Sequence, residues 1–256
     1  MRPNRIKTLW KEGKTAINAW LTIPSAWSAE LMAHAGYDSL TIDVQHGFAD
    51  YSMAVAMMQA ISTTDTVPFV RPPWNEPGII MRLLDAGAYG VICPMINSRA
   101  EAEAFVSACR YPPAGTRSTG PLRALLYAGD DYIAHADETV LTLAMIETGE
   151  ALERVDEIAA TPGLDGLYVG PTDLSMCLGL SELANYKDPA LLRAMDKVLA
   201  AAEKHGRLPA AHANSPENAI MLSRRGYRLV TPVSDTPILR AAAAQALAQT
   251  RQGLIS

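Results

Sequence analysis

The feature that most constrains the fold of this chain is the repeated alternation of short apolar segments with longer helical ones. The short segments are mostly continuous runs of apolar residues, which is typical of strands buried on both faces in a parallel sheet. The eight predicted strands are Ala16–Thr22, Ser39–Val44, Val67–Arg71, Gly90–Pro94, Thr142–Glu147, Gly166–Val169, Ala210–Ala213 and Leu229–Val233. Over 256 residues, this pattern favours a (β/α)₈ TIM barrel, a fold that takes about 250 residues.

The segments between the strands carry the period and the end signals of helices. The predicted helices are Ser28–Ala35, Tyr51–Ile61, Pro77–Ala86, Ser98–Cys109, Glu150–Ala160, Pro189–His205, Ser215–Arg225 and Ile238–Thr250. Because no linker or shift in composition interrupts the pattern, residues 1–256 are predicted to form a single domain. A doubly wound open sheet is the alternative, but the first strand–helix turn lacks the sequence G-x-G-x-x-G. Tyr111–Thr139 is predicted to be a long irregular loop, and such loops usually carry function.

Composition narrows the range of partners. The formal net charge is −5 and no basic stripe is present, so nucleic acid is not an expected partner. No apolar run reaches the roughly 18 residues of a membrane span, and the first residues do not resemble a secretory signal. Cys93, Cys109 and Cys177 lack the C-x-x-C spacing, so they are interpreted as reduced, mostly buried thiols of a cytoplasmic protein.

Polar side chains follow four of the predicted strands, where each strand ends. These residues are Asp43, His46, Arg71, Glu147 and Asp173. In a TIM barrel the carboxyl ends of all strands meet at one rim, which is where these barrels hold their active sites. We therefore expect the five to form one site, the alternative being a set of unrelated turn residues and helix caps.

The residue types at these ends constrain the chemistry. Glu147 and Asp173 can hold a hard divalent cation and leave coordination positions for water and substrate, although Asp173 can also be a helix N-cap. The turn Gly170–Ser175 offers backbone N–H groups to an anion at a helix start. Asp43 can orient His46 as a general base, the alternative being a hydrogen-bonded core histidine.

Arginine and lysine have separate implications. Arg71 can neutralise a substrate carboxylate or a developing enolate oxygen, or it can form an internal ion pair with Asp43 or Glu147. The chain has six lysines, none of them inside a predicted strand, which disfavours a Schiff-base lysine. No nucleotide cofactor is expected. His212 lies on a predicted strand, and its role is ambiguous.

These residues belong to longer segments that resemble the HpcH/HpaI family of metal-dependent class II pyruvate aldolases. The matching segments are SAWSAELMAHAGYDSLTIDVQHG, VPFVRPPWNEP, RLLDAGAYGVICPMINS, CRYPPAGTRS, IETGEAL and GLYVGPTDLSMCLG, and they cover most of residues 16–180 in the expected order. The resemblance implies a single-domain barrel of the phosphoenolpyruvate/pyruvate-binding type. It also implies a trimer of dimers, a homohexamer, in which the C-terminal helix is exchanged between subunits.

The resemblance further implies roles for particular residues. Glu147 and Asp173 would hold a divalent metal (Mg²⁺, Mn²⁺, Co²⁺ or Zn²⁺), and His46 with Asp43 would move a proton. Arg71 would contact the pyruvate or enolate oxygen, and Gly170, Pro171 and Thr172 would lie near its carboxylate. Asp85 matches a position that reaches towards a neighbouring subunit's site.

Three positions depart from the family pattern: Gln45, Met145 and Ser118. The metal ligands and the base are unaffected, so the departures bear on metal preference and on the particular substrate. Trp20, Arg117, Arg123 and Tyr127 are candidates to line the pocket for the aldehyde. In that pocket Arg117 and Arg123 would favour an aldehyde that carries a carboxylate or several hydroxyl groups. Alternatively, the two arginines bind loops or a neighbouring subunit.

The resulting hypothesis is the reversible cleavage of a 4-hydroxy-2-oxo acid into pyruvate, or a related 2-oxo acid, and an aldehyde. A CoA-ester lyase of the citramalyl or malyl type is the nearest alternative, because it shares the barrel and the enolate chemistry. It would need a cleft for the nucleotide, for which 256 residues leave little room. A non-catalytic barrel that binds a small acid is the alternative from another class.

Overall fold

Eight parallel strands close into a barrel in the computed structural model, which describes residues 1–255. The strands are β1 (Ala16–Leu21), β2 (Ser39–Asp43), β3 (Val67–Arg71), β4 (Gly90–Cys93), β5 (Leu141–Ile146), β6 (Gly166–Val169), β7 (Leu208–His212) and β8 (Leu229–Ser234). Each strand pairs with the next one in the chain, and β8 pairs with β1. The (β/α)₈ prediction is therefore confirmed, and the open-sheet alternative is wrong.

Thirteen helices surround or close the barrel in the part of the chain that the structure describes. They are α1 (Arg5–Lys11), α2 (Ala26–His34), α3 (Tyr51–Ile61), α4 (Pro77–Asp85), α5 (Arg99–Cys109), α6 (Leu122–Ala128), α7 (Tyr132–Thr139), α8 (Gly149–Glu153), α9 (Val155–Ala159), α10 (Pro171–Cys177), α11 (Pro189–Lys204), α12 (Pro216–Arg225) and α13 (Asp235–Ile255). None of these helices is long and apolar enough to cross a membrane.

The segment predicted to be an irregular loop between α5 and β5 is partly helical. It contains α6 and α7, so the prediction of one long loop is wrong. Neither helix begins with a side-chain cap, because the side chains of Pro121 and Asp131 at their N-caps accept no hydrogen bond from the helix. Without that signal, two short helices are difficult to recognise in a sequence.

The buried residues form two layers. One layer lies between the strands and the surrounding helices. The other fills the barrel and its amino-terminal end, where Ile6 of α1 and Tyr132 of α7 pack beneath the strands. Asn4 anchors this end, because its amide donates hydrogen bonds to the carbonyl oxygens of Tyr89 and Thr139. The amino-terminal end is therefore closed, and the carboxyl-terminal end remains available for a site.

A small polar cluster lies inside the barrel among these apolar side chains. The Asn18 carbonyl oxygen accepts hydrogen bonds from the hydroxyl groups of Ser39 and Thr41, and its amide donates to the Thr231 hydroxyl. All four residues are fully buried. Because every buried polar group here has a partner, the cluster is compatible with a stable core.

Gly90→Ala is expected to destabilise the barrel, because Gly90 lies opposite Phe69 where β3 pairs with β4. A Cβ atom at Gly90 would lie 2.5 Å from the fully buried Phe69 ring. We expect a loss of about 1–3 kcal/mol in the free energy of unfolding, measured by urea denaturation. Gly120→Ala is the control, since no heavy atom lies within 4 Å of the position that its Cβ would occupy. Equal stability of the two variants would contradict the prediction.

Candidate active site

The carboxyl ends of the strands surround a cavity of about 390 Å³. All five polar residues that follow predicted strands line it: Asp43, His46, Arg71, Glu147 and Asp173. Trp20 and the turn formed by Gly170, Pro171 and Thr172 line it as well. The structure thus brings these predicted site residues together at one end of the barrel.

Asp43 and Arg71 form an ion pair across two neighbouring strands. They are register partners at the ends of β2 and β3. Arg71 Nε donates to Asp43 Oδ1 at 2.9 Å, and Nη2 donates to Oδ2 at 2.5 Å. Burial raises the pKa of Asp43, but the hydrogen bond and the charge of Arg71 outweigh it, so the pKa lies below its ordinary value. The internal ion pair considered for Arg71 is therefore present.

His46 occupies the turn after β2, and its link to Asp43 differs from the predicted one. Asp43 Oδ1 accepts hydrogen bonds from the backbone N–H groups of Gln45 and His46, at 3.1 and 3.2 Å. Between residues 1 and 255, no side chain bonds to the His46 ring, which is exposed at the cavity. The prediction that Asp43 orients the ring directly is corrected: Asp43 fixes the turn that carries the ring. A Cβ at Gly47 would overlap the Asp43 carbonyl oxygen, so this tight turn requires glycine.

Glu147 and Asp173 bring two negative charges to the opposite part of the rim. Glu147 is 3% exposed, and its Oε1 accepts a hydrogen bond of 2.8 Å from the Met95 backbone N–H. Burial raises the pKa of Glu147, and the charge of Asp173 raises it further. A Cβ at Gly170 would lie 2.6 Å from Glu147 Oε2, so a larger residue there would displace this carboxylate.

Asp173 does not cap a helix. It lies in the first turn of α10, whose N-cap is Gly170, and no side chain bonds to the N-terminus of that helix. The N-cap alternative for Asp173 is therefore wrong, and its carboxylate is exposed at the cavity.

The donor set fits a hard divalent cation. Two carboxylates, one of them buried, repel each other unless a cation lies between them. In residues 1–255 no group of three or more His, Cys, Asp or Glu side chains is arranged for a metal. Two carboxylates supply only part of a divalent cation's coordination, so Glu147 and Asp173 would leave positions for water and substrate.

Arg117 and Arg123 lie away from this cavity. Arg117 is buried, and it donates hydrogen bonds to Asp85 Oδ1 at 2.7 Å and to the Tyr132 hydroxyl at 3.0 Å. Arg123 donates to carbonyl oxygens near the ends of α3 and α4, and Tyr127 packs beside it. The prediction that Arg117, Arg123 and Tyr127 line the aldehyde pocket of their own chain is corrected, because α6 and α7 direct the segment towards the other end of the barrel.

The structure adds a wall that the sequence left undefined. His212 at the end of β7, Asn214 after it and Ser234 at the end of β8 all line the cavity. Trp20 lies between this wall and Arg71: its ring is 4.9 Å from the guanidinium carbon and 5.4 Å from the His212 ring centre. The signal for His212 was its place at a strand end, the same signal that identified the other five residues.

Comparison with known proteins places this chain in a family. Residues 17–227 match the model of the family described as HpcH/HpaI aldolase/citrate lyase. A hydroxypyruvate/pyruvate aldolase from Rhizorhabdus wittichii is 42% identical over 248 residues, which cover 97% of this chain and 99% of the relative. A 4-hydroxy-2-oxo-heptane-1,7-dioate aldolase from Escherichia coli is 35% identical over 248 residues, which cover 96% of this chain and 94% of the relative.

A solved structure agrees with these relatives. An HpcH/HpaI aldolase/citrate lyase family protein from Burkholderia cenocepacia superposes with a TM-score of 0.89 at 33% identity, over 97% of this chain and 99% of the other. Both the length and the fold of the relatives are thus shared almost completely. The chain belongs to the HpcH/HpaI aldolase/citrate lyase family, and it is an aldolase, a carbon–carbon lyase.

Proposed function

We propose that the site described above carries out the reversible cleavage of a 4-hydroxy-2-oxo acid into pyruvate, or a closely related 2-oxo acid, and an aldehyde. The observation that supports this most is the pairing of two functions in one cavity. A carboxylate pair suited to a divalent cation lies on one side, and an arginine fixed by Asp43 lies on the other. The names of the two aldolase relatives agree with a 2-oxo acid as one reactant.

Glu147 and Asp173 would hold the divalent cation, which would be Mg²⁺, Mn²⁺, Co²⁺ or Zn²⁺. When bound, the cation supplies Lewis-acid stabilisation of the enolate that forms when the C3–C4 bond breaks. The carboxylate pair has no cationic side chain bonded to it in residues 1–255. Its charge therefore fits that role.

Arg71 binds the oxo acid and stabilises the negative charge that develops on it. Its guanidinium is held by two hydrogen bonds to Asp43, so it needs no reorganisation during the reaction. Gly170, Pro171 and Thr172 form the start of α10 and line the cavity. Pro171 has no N–H and the Gly170 N–H donates to the Ile146 carbonyl oxygen, so the Thr172 N–H would donate to the substrate carboxylate. These groups together orient the substrate with its C3–C4 bond inside the cavity.

His46 moves the proton. In cleavage it accepts the proton of the C4 hydroxyl, the C4 oxygen becomes the aldehyde oxygen, and the C3–C4 bonding electrons pass into the enolate. Return of a proton to C3 gives the methyl group of pyruvate and restores the starting protonation. The exposed ring at the mouth of the cavity fits a group that exchanges protons with water.

We further propose that the protein is a homo-oligomer, a trimer of dimers in which α13 is exchanged. In a TIM barrel the helix after each strand normally packs on the outside of the barrel. Here α13 is exposed along residues 236–254, and an apolar groove of about 560 Å³ lies beside β8, lined by Ile17, Ile220 and Val233 among others. The α13 of a second copy would fill this groove.

We propose a role for Asp85 in the assembly and a cellular location for the protein. Asp85 would face a neighbouring subunit's site, although in this chain it also pairs with Arg117. We also propose a cytoplasmic location, because the three free thiols fit a reducing compartment.

Removal of the cation is expected to abolish activity. Treatment with EDTA should stop pyruvate release from a panel of 4-hydroxy-2-oxo acids, and an added divalent ion should restore it. Glu147→Gln should weaken Mn²⁺ binding, measured by calorimetry, by at least about tenfold, because a buried ligand charge is lost. Glu150→Gln, at an exposed position on α8, is the matched control. Full activity of the EDTA-treated protein would refute the metal-dependent mechanism.

Replacement of His46 is expected to slow catalysis and leave cation binding intact. His46→Ala should lower kcat for cleavage by roughly 10²–10⁴-fold, the usual contribution of a general base. His135→Ala, on the exposed surface of α7, should change neither quantity. Unchanged turnover in His46→Ala would remove the ring from its proposed role.

A charge in the apolar groove is expected to break the assembly. Ile220 is 53% exposed in the single chain, so Ile220→Asp should be tolerated by the monomer but not by a helix packed onto it. Light scattering should report a lower mass for this variant than for the unaltered protein. Ile133→Asp, at a position 42% exposed on α7, is the control. An unaltered protein that is monomeric would overturn the proposed assembly.

A further inference from the structure

The wall formed by the ends of β7 and β8 carries uncharged hydrogen-bonding groups that face the cavity. They belong to His212, Asn214 and Ser234. Within the described residues 1–255, the Asn214 amide and the Ser234 hydroxyl bond to no other side chain. These groups are therefore available to a ligand in the cavity.

The position of the His212 proton follows from its hydrogen-bond chain. Asn18 Nδ2, a donor only, bonds to the Thr231 hydroxyl at 2.9 Å. The Thr231 oxygen lies 2.8 Å from the Tyr168 hydroxyl, which lies 3.3 Å from His212 Nδ1. Each member is satisfied when Thr231 donates to Tyr168 and Tyr168 donates to Nδ1. In that arrangement Nδ1 accepts a hydrogen bond and the proton of the neutral ring is on Nε2.

The surroundings keep this ring neutral. Burial lowers the pKa of His212 to about 4, and the positive charge of Arg71 contributes in the same direction. A neutral ring with Nδ1 occupied presents Nε2–H as a donor to the cavity, and Nε2 has no partner in the part of the chain that the structure describes. His212 is therefore a fixed donor and not a proton-transfer group.

The charged side chains that line the cavity favour an aldehyde without a carboxylate. Of the arginines and lysines in residues 1–255, Arg71 is the one that lines the cavity, and Asp43 already pairs with it. Arg117 and Arg123, which would have favoured a second carboxylate, bond elsewhere. An aldehyde that carries its own carboxylate would thus find no unpaired arginine or lysine of this chain in the cavity.

We propose that His212 is a specificity-determining residue that donates a hydrogen bond from Nε2 to a hydroxyl group of an uncharged hydroxyaldehyde. The Asn214 amide and the Ser234 hydroxyl complete the recognition of such an acceptor. This inference rests on the proposed aldolase reaction, and it names the class of aldehyde used there.

The test measures aldol addition of pyruvate to three aldehydes by the full-length protein with Mn²⁺. Glycolaldehyde carries a hydroxyl group, propanal replaces that group with a methyl group of similar size, and succinic semialdehyde carries a carboxylate. The unaltered protein should show the highest kcat/KM with glycolaldehyde. In His212→Leu the ratio of kcat/KM for glycolaldehyde to that for propanal should fall about tenfold, the effect of one lost hydrogen bond.

Two further variants separate recognition from folding. His212→Gln retains an N–H donor and should restore much of the ratio. Tyr168→Phe removes the hydroxyl that fixes the His212 proton, so it should lower the ratio part of the way. His34→Leu, on the exposed surface of α2, is the matched histidine control and should leave the ratio unchanged.

Exchange of the pyruvate C3 protons with deuterium, followed by NMR, distinguishes a failure of the His212 inference from a failure of the proposed aldolase reaction. An unaltered protein that exchanges pyruvate protons but prefers propanal or succinic semialdehyde would overturn the inference about His212 and leave the proposed reaction standing. An unchanged ratio in His212→Leu would do the same. An unaltered protein that neither exchanges protons nor adds pyruvate to any aldehyde would overturn the proposed reaction itself.

Discussion

The paired hydrogen bonds between Asp43 and Arg71 determine how the rest of the site is arranged. The two residues are register partners in β2 and β3, so strand pairing itself brings the carboxylate to the guanidinium. The same Asp43 carboxylate accepts hydrogen bonds from the backbone N–H groups of Gln45 and His46. The Asp43 carboxylate, 1% exposed, thus fixes both the Arg71 guanidinium, which would face the proposed substrate, and the turn that carries the proposed base. Losing either partner would leave a buried charge uncompensated.

The two buried carboxylates affect stability in opposite directions. Arg71 holds the pKa of Asp43 below its ordinary value. Asp43 therefore stabilises the fold at any pH above its ordinary pKa, and this contribution is lost as the pH falls through the lowered pKa. Burial and Asp173 raise the pKa of Glu147, so its contribution is lost as the pH rises through the raised value. In its ionised form Glu147 therefore costs folding free energy. A cation held by Glu147 and Asp173, as proposed, would offset that cost and so stabilise the fold.

Much of the site could be predicted from the sequence because its residues lie at, or directly after, the ends of strands that the sequence identifies. The residues at the ends of β2, β3, β5 and the β6–α10 turn meet in any barrel with this strand order. The positions of Arg117 and Arg123 could not be predicted, since their partners Asp85, Tyr132 and the helix-end carbonyl groups are distant in sequence. His212 was ambiguous because a histidine on an apolar strand is equally consistent with a core position. The Tyr168 contact and the cavity decide its place.

The barrel separates two tasks around its rim. The ion pair on β2 and β3 and the carboxylates that follow β5 and β6 surround the proposed site for the oxo acid. β7 and β8 supply the uncharged wall, and Trp20 of β1 contacts both Arg71 and His212. Because strand ends in a TIM barrel change independently of the strands themselves, the wall can vary without disturbing the carboxylates. Trp20 is the exception, since its ring packs against both halves, and a change there would alter oxo-acid binding and aldehyde recognition together.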